Sequence, residues 1–225
     1  MKDIHKGHRQ KMKTRFLKTE LDDFELHNVL ELLLFYSIPQ GDTNETAHLL
    51  MDTFGSFADV LDAPYEELIK VKGVGEHTAS LLKLIPSVSR VYLDDKNSSG
   101  NVLNNHKEAG EYLVNKFIGR SYECIYMVCL DGKGKILFSD VISKSGTVNS
   151  CILSTRMVVE IAIRCNAVAV VLAHNHPTGF ATPSADDISS TKTLKEQLEQ
   201  LDIILLDHFI ISTKEHISMY SWGML

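Results

Sequence analysis

No apolar run in this 225-residue chain approaches the ~20 residues that a membrane-spanning helix needs, so the sequence predicts no span. The first residues are charged and lack the apolar core of a signal peptide, which leads to the expectation of a cytoplasmic protein. Cysteine is scarce. Cys124, Cys129, Cys151 and Cys165 form no CxxC pair and lie in or beside apolar stretches. That excludes a recognisable cysteine–zinc site and predicts buried free thiols rather than a disulfide framework. There is no internal repeat and no low-complexity tract. The chain is 44% apolar and 23% charged, an ordinary globular composition, and its length suits one large or two small domains.

Charge is what is unevenly placed. Residues 1–19 hold Lys2, Lys6, Arg9, Lys11, Lys13, Arg15 and Lys18 against Asp3 alone, a net +6 in a chain of net −6. The remaining 206 residues therefore carry −12. Such an arm suits phosphate neutralisation on a nucleic acid. It equally suits a solvated, partly helical tail that contacts the acidic body. Charge alone does not separate the two.

Apolar periodicity predicts helices over Leu26–Tyr36, from Thr43 to about Phe54, over Phe57–Leu61, over Pro64–Val71 and over Thr78–Ile85. Gly73-Val74-Gly75 joins the last two. Helix, Gly-apolar-Gly, helix resembles the helix-hairpin-helix motif, in which backbone N–H groups at a helix N-terminus meet a DNA phosphate. That resemblance would bring Gly73, Gly75 and Thr78 to DNA. A Gly pair also suits any tight helix–helix turn. Glu76-His77 stands where the motif carries a small residue or Pro and then often Lys, and Glu76 would repel a phosphate.

The polar stretch 94–102 reads as a linker between a helical domain over 1–93 and a second domain over 103–225. In the second domain the sequence predicts a helix over His106–Phe117 and strands near 123–130 and 135–142. A helix near 154–165 follows, and after it a buried strand, Val168-Ala169-Val170-Val171-Leu172-Ala173. A helix then runs from Ser184 to about Leu201, ahead of strands near 203–206, 208–212 and 217–220. The fold class is α/β (α+β): an all-helical N-terminal domain, then an α/β sandwich.

His174-Asn175-His176-Pro177 follows that buried strand, and Asp187 comes eleven residues after His176. In extended chain residues i and i+2 share a side, so His174 and His176 can face one ion while Asn175 faces away. Two imidazoles and a carboxylate leave a fourth position for water, as in catalytic zinc. A metal there makes a hydrolytic nucleophile at neutral pH. Two histidines at a strand end and a Ser184–Asp187 helix cap would also account for these residues. Cap and ligand can coexist, because a cap steadies the ligand it holds.

The run HxHP, seven residues, Ser, two residues, Asp resembles the JAB/MPN metalloprotease signature, often called JAMM. Glu123, ahead of Cys124-Ile125-Tyr126-Met127-Val128-Cys129-Leu130, matches the upstream Glu of that signature. Gly146-Thr147-Val148-Asn149-Ser150, then Asn166-Ala167, Leu172 to Gly179 and Leu206-Asp207-His208-Phe209-Ile210-Ile211 look like the bacterial RadC branch. The resemblance implies one Zn2+ per chain on His174, His176 and Asp187. It implies Glu123 as general base, Ser184 as a group that positions water or stabilises an oxyanion, and a JAB/MPN-like sandwich. Arg156 is followed by Met157 where members of that branch often carry Glu. Glu160 stands three residues on, and no catalytic role is assigned to it.

The resemblance implies hydrolysis of an amide bond, in a peptide, an isopeptide or a smaller amide. The alternative is a DNA-binding accessory protein that uses the hairpin and the basic arm. A two-metal nuclease would want more clustered carboxylates. A two-histidine, one-carboxylate iron oxygenase is disfavoured by the closely spaced HxH, though iron or manganese could load the same ligands. Oligomeric state is open.

Overall fold

The computed structural model describes residues 7–96, 102–144, 153–177, 179–213 and 215–225. Lys2, Asp3 and Lys6 of the basic arm, most of the expected linker, the run Gly146–Ser150, Cys151 and Thr178 lie outside the described residues. No described helix is long and apolar enough to cross a membrane. The chain divides into two compact units, Met1–Val88 and Ser89–Leu225.

The first unit is helical. It holds α1 (His8–Thr19), α2 (Leu26–Leu34), α3 (Asn44–Phe54), α4 (Phe57–Asp62), α5 (Tyr65–Leu68) and the start of α6 (Glu76–Lys96). Leu30, Leu34, Leu50, Leu68 and Leu82 close its core at zero exposure. The sequence pattern predicted a helix over Thr78–Ile85, which ends before Pro86, and a proline inside a helix removes an N–H and crowds the preceding turn. Instead α6 runs through Pro86 and covers the first residues of the expected linker. Ala79, Leu82 and Pro86 are all buried, so the ring continues the helix's apolar stripe, and its burial offsets the lost hydrogen bond.

The described part of the basic arm is docked. Met12 of α1 is buried with Phe24, Leu32 and Phe35. Arg9 donates to the carbonyls of Ile38 and Gly41, and its guanidinium lies 4.8 Å from the Phe35 ring centre. Arg15 covers Phe24 in the same way. Removing residues 1–19 would therefore uncover apolar core as well as remove charge.

The second unit is a mixed five-stranded sheet. Its strands are β1 (Cys124–Leu130), β2 (Ile136–Lys144), β3 (Ala169–Asn175), β4 (Ile204–Ile211) and β5 (His216–Ser218), in the order β2-β1-β3-β4-β5. Only β3 and β4 are parallel. Every residue of β1 and β3 is buried, as strands covered on both faces must be. Tyr126, Val128, Val171 and Ala173 pack on the side of α7 (His106–Lys116). Met127, Cys129, Val170 and Leu172 pack on the side of α8 (Thr155–Arg164) and α9 (Ala185–Glu199). Cys124 and Cys129 are buried free thiols, and Cys165 is half-buried. Burial pushes the Cys129 thiol up to about 12, with Cys165 beside it adding to the shift.

The sequence reading placed separate strands near 203–206 and 208–212, divided at Asp207. The strand is continuous, with a register shift opposite Val170–Val171. Asp207 is fully buried, and its carboxylate accepts from the Ser218 hydroxyl at 2.6 Å and from the Tyr220 and His208 backbone N–H groups. Those donors make burial of the charge tolerable. The shift leaves Leu172 opposite His208 and His174 opposite Ile210. Bulges next to functional sites often re-aim a side chain in this way.

Candidate metal centre

The parallel pair β3–β4 is joined through α9, so the end of β3 leads to the start of α9 at the carboxyl end of these strands. In open α/β sheets such carboxyl ends of strands are where ligands bind. His174 is the sixth residue of β3, and His176 lies just past its end. The His176 N–H donates to the Ile211 carbonyl at 2.8 Å, so the ladder to β4 continues to that point. Asp187 is at the third position of α9. Ser184 caps that helix in a reciprocal box: its hydroxyl accepts the Asp187 N–H, and the Asp187 carboxylate accepts the Ser184 N–H.

These residues converge. The His174 and His176 Nε2 atoms are 3.0 Å apart. Asp187 Oδ1 is 3.4 Å from His174 Nε2, and Asp187 Oδ2 is 4.0 Å from His176 Nε2. One ligand atom from each residue lies within 4.8 Å of the other two, a cluster that could hold one ion. Among the described residues, this is the trio that could hold a metal.

The hydrogen bonds around the rings decide which nitrogens are free. His176 Nδ1 is 3.0 Å from the Phe180 carbonyl, which can only accept. Nδ1 therefore carries the proton, and Nε2 keeps its lone pair. His174 Nδ1 is 2.9 Å from His208 Nε2. His208 is fully buried, and burial, with His174 beside it, holds its imidazole well below the ordinary histidine range. A neutral His208 that donates from Nδ1 to the Thr191 hydroxyl, 2.7 Å away, must accept at Nε2. His174 then donates from Nδ1 and also presents a lone pair at Nε2. In the neutral rings these two lone pairs, 3.0 Å apart beside a carboxylate, repel unless a cation lies between them. The donor set fits a divalent metal.

Burial alone would raise the Asp187 carboxyl. The His174 ring beside it and the two Ser184 donors outweigh that and hold the group below the usual carboxylate range. Asp187 is thus a carboxylate at neutral pH. The Ser184 hydroxyl donates to Asp187 Oδ2 at 2.6 Å, which leaves Oδ1 turned to His174. Cap and candidate ligand are the same pair of residues.

Glu123 is half-buried and lies one residue before β1. Glu123 stands two residues before Ile125, whose partner across the ladder is His174. What holds this segment is Asn175. Its Oδ1 accepts the Cys124 N–H at 2.8 Å, and its Nδ2 donates to the Tyr122 carbonyl at 3.0 Å and the Arg120 carbonyl at 3.4 Å. Asn175 faces away from the histidines, as alternation predicts, and binds the backbone on both sides of Glu123.

On α8, Glu160 forms an ion pair with Arg156 at 2.7 Å, both side chains exposed, and Met157 is partly exposed. In the helical unit, Gly73 has φ +89°, and a Cβ there would lie 2.7 Å from Thr46 Oγ1. Both facts require glycine. Gly75 opens onto free space, and Thr78 is buried at 2% exposure. Gly73→Ala is expected to destabilise the helical unit by about 1–3 kcal/mol, the range for strained backbone. Thermal unfolding checks this, and an unchanged midpoint would show that the turn relaxes.

The described residues that sequence reasoning missed are His208 and Thr191. His208 was noted as part of a resembling run and given no role. A histidine inside an apolar strand beside the metal strand was the available signal.

A match to the RadC-like JAB domain family covers residues 103–224. A UPF0758 protein of Ruegeria pomeroyi is 35% identical over 223 residues, 98% of each chain.

Proposed function

The chain belongs to the RadC-like JAB domain family, and from that membership and the geometry of its ligand triangle we propose that it is a zinc-dependent hydrolase of amide bonds. The observation that carries this reading is the convergence of two histidine Nε2 atoms and a carboxylate within 4.0 Å at the end of β3.

His174, His176 and Asp187 hold Zn2+. The ion supplies Lewis acidity and an activated water at neutral pH. Glu123 accepts a proton from the attacking water and returns it to the departing amine, the double role of a positioned carboxylate. Ser184 orients the Asp187 carboxylate, and its hydroxyl reaches a developing oxyanion only by giving up its bond to Asp187 Oδ2. The substrate class is a peptide or isopeptide. A role for the Gly73–Gly75 hairpin on DNA gains no support, because Glu76 occupies the first turn of α6 and Thr78 is buried.

The test is metal content of the purified protein beside a His174→Ala/His176→Ala variant, followed by a screen of peptide and isopeptide substrates. About one zinc per chain is expected in the wild type and none in the variant. No bound metal in either protein after zinc is supplied would sink the hydrolase reading.

A further inference from the structure

His208 and Thr191 sit behind the ligand triangle, buried at 1% and 0% exposure, and the chemistry above uses neither as a ligand. Their polar atoms form a chain. The Thr191 hydroxyl is 2.6 Å from the Asp187 backbone carbonyl, four residues back on α9, and a carbonyl only accepts. Thr191 therefore donates there, and its oxygen is left to accept from His208 Nδ1 at 2.7 Å. His208 Nε2 then accepts from His174 Nδ1 at 2.9 Å. One direction satisfies every atom of the chain, and a neutral His174 that donates from Nδ1 keeps its lone pair on Nε2.

We propose that Thr191 and His208 are positioning residues that fix His174 in the tautomer able to bind the metal, and that they close a ring through it. The ring runs from the Asp187 carbonyl through Thr191, His208 and His174 to the ion, and back through the Asp187 carboxylate. This inference rests on the metal reading above. A metal-bound histidine generally donates its second nitrogen to a carboxylate, carbonyl or water. Here the acceptor is another histidine, whose own orientation is set by a hydroxyl on the helix that carries the third ligand. The ring therefore couples the end of β3, the middle of β4 and the first turns of α9. Movement of α9 would disturb Asp187 directly and His174 through Thr191.

Reversing any link gives the wrong tautomer. If Thr191 could not accept, His208 Nδ1–H would be buried without a partner. The histidine would gain by carrying its proton on Nε2 instead. His174 would then have to accept at Nδ1, and its own proton would move to Nε2, where the ion must bind.

The test uses Thr191→Val, which is nearly isosteric, Thr191→Ser, which keeps the hydroxyl, and His208→Gln. Zinc affinity is measured by chelator competition on the full chain, and the His174 tautomer is read from ring 15N shifts of the zinc-free protein. The valine and glutamine variants are expected to lose about 10–100-fold in zinc affinity, the usual cost of removing a group that orients a ligand. The serine variant should bind like the wild type. Because both residues act through one chain, the double variant should lose far less than the product of the single losses. The 15N spectrum should show His174 protonated at Nδ1 in the wild type and not in the valine variant. A general loss of packing would lower the melting temperature without moving that signature. Equal zinc affinity in the wild type and Thr191→Val, or a wild-type His174 protonated at Nε2, would overturn the inference and leave the metal reading standing. A wild type that binds no zinc would overturn both.

Discussion

Glu123→Gln is expected to lower turnover by about 10²- to 10⁴-fold while bound zinc stays at the wild-type level, because a positioned proton acceptor contributes about that much. The separation of the two readouts follows from the geometry. Glu123 is not among the converging donors, and it lies two residues before Ile125, the ladder partner of His174. Glutamine matches its shape and can still hydrogen-bond a water, but it cannot take a proton. Metal content and turnover must be measured on the same preparation, with any substrate that the screen yields. A variant that keeps its zinc and its rate would remove Glu123 from the mechanism. A variant that loses zinc would make Glu123 a ligand, and the site would have four protein donors and no open position.

Much of this site was legible because its residues obey local rules. His174 and His176 share a face through strand alternation, and Asp187 is fixed by a helix cap written in four consecutive positions. The sheet was legible where strands are buried on both faces, since β1 and β3 are nearly continuous apolar runs. What failed were places where tertiary contacts overrule a local signal. Pro86 stays helical because its ring is buried, and Asp207 sits inside β4 because four groups surround its carboxylate with donors: Ser218, the Tyr220 and His208 backbones, and His106 at 3.3 Å. None of those donors is a sequence neighbour except His208. The sequence signals a buried His208, but its link from Thr191 to His174 was hidden for the same reason. It joins a helix and two strands whose pairing depends on a register shift in β4, and no pattern in the sequence encodes that shift.

Asn175→Ala should cost both stability and rate, and the two losses have separate causes. The side chain is buried at 3% exposure and answers the Cys124 N–H and the Tyr122 carbonyl. Alanine orphans both, at about 1–3 kcal/mol for each group left unpaired. The melting temperature should therefore fall by several degrees. The rate should fall about 10²-fold, the cost of roughly 1 Å of misplacement at a reacting centre, because the freed segment carries Glu123. Zinc affinity should barely change. His174 stays in the ladder between β1 and β4, and His176 keeps its bond to Ile211. Asn175→Asp sharpens the test. It keeps the acceptor for Cys124 but turns a carboxylate oxygen toward the Arg120 and Tyr122 carbonyls, so it repels where the amide donated. Its rate should be no better than that of the alanine variant, although it preserves side-chain volume. Should Asn175→Ala melt early yet turn over at the wild-type rate, the asparagine only joins two strands, and Glu123 is held by something else.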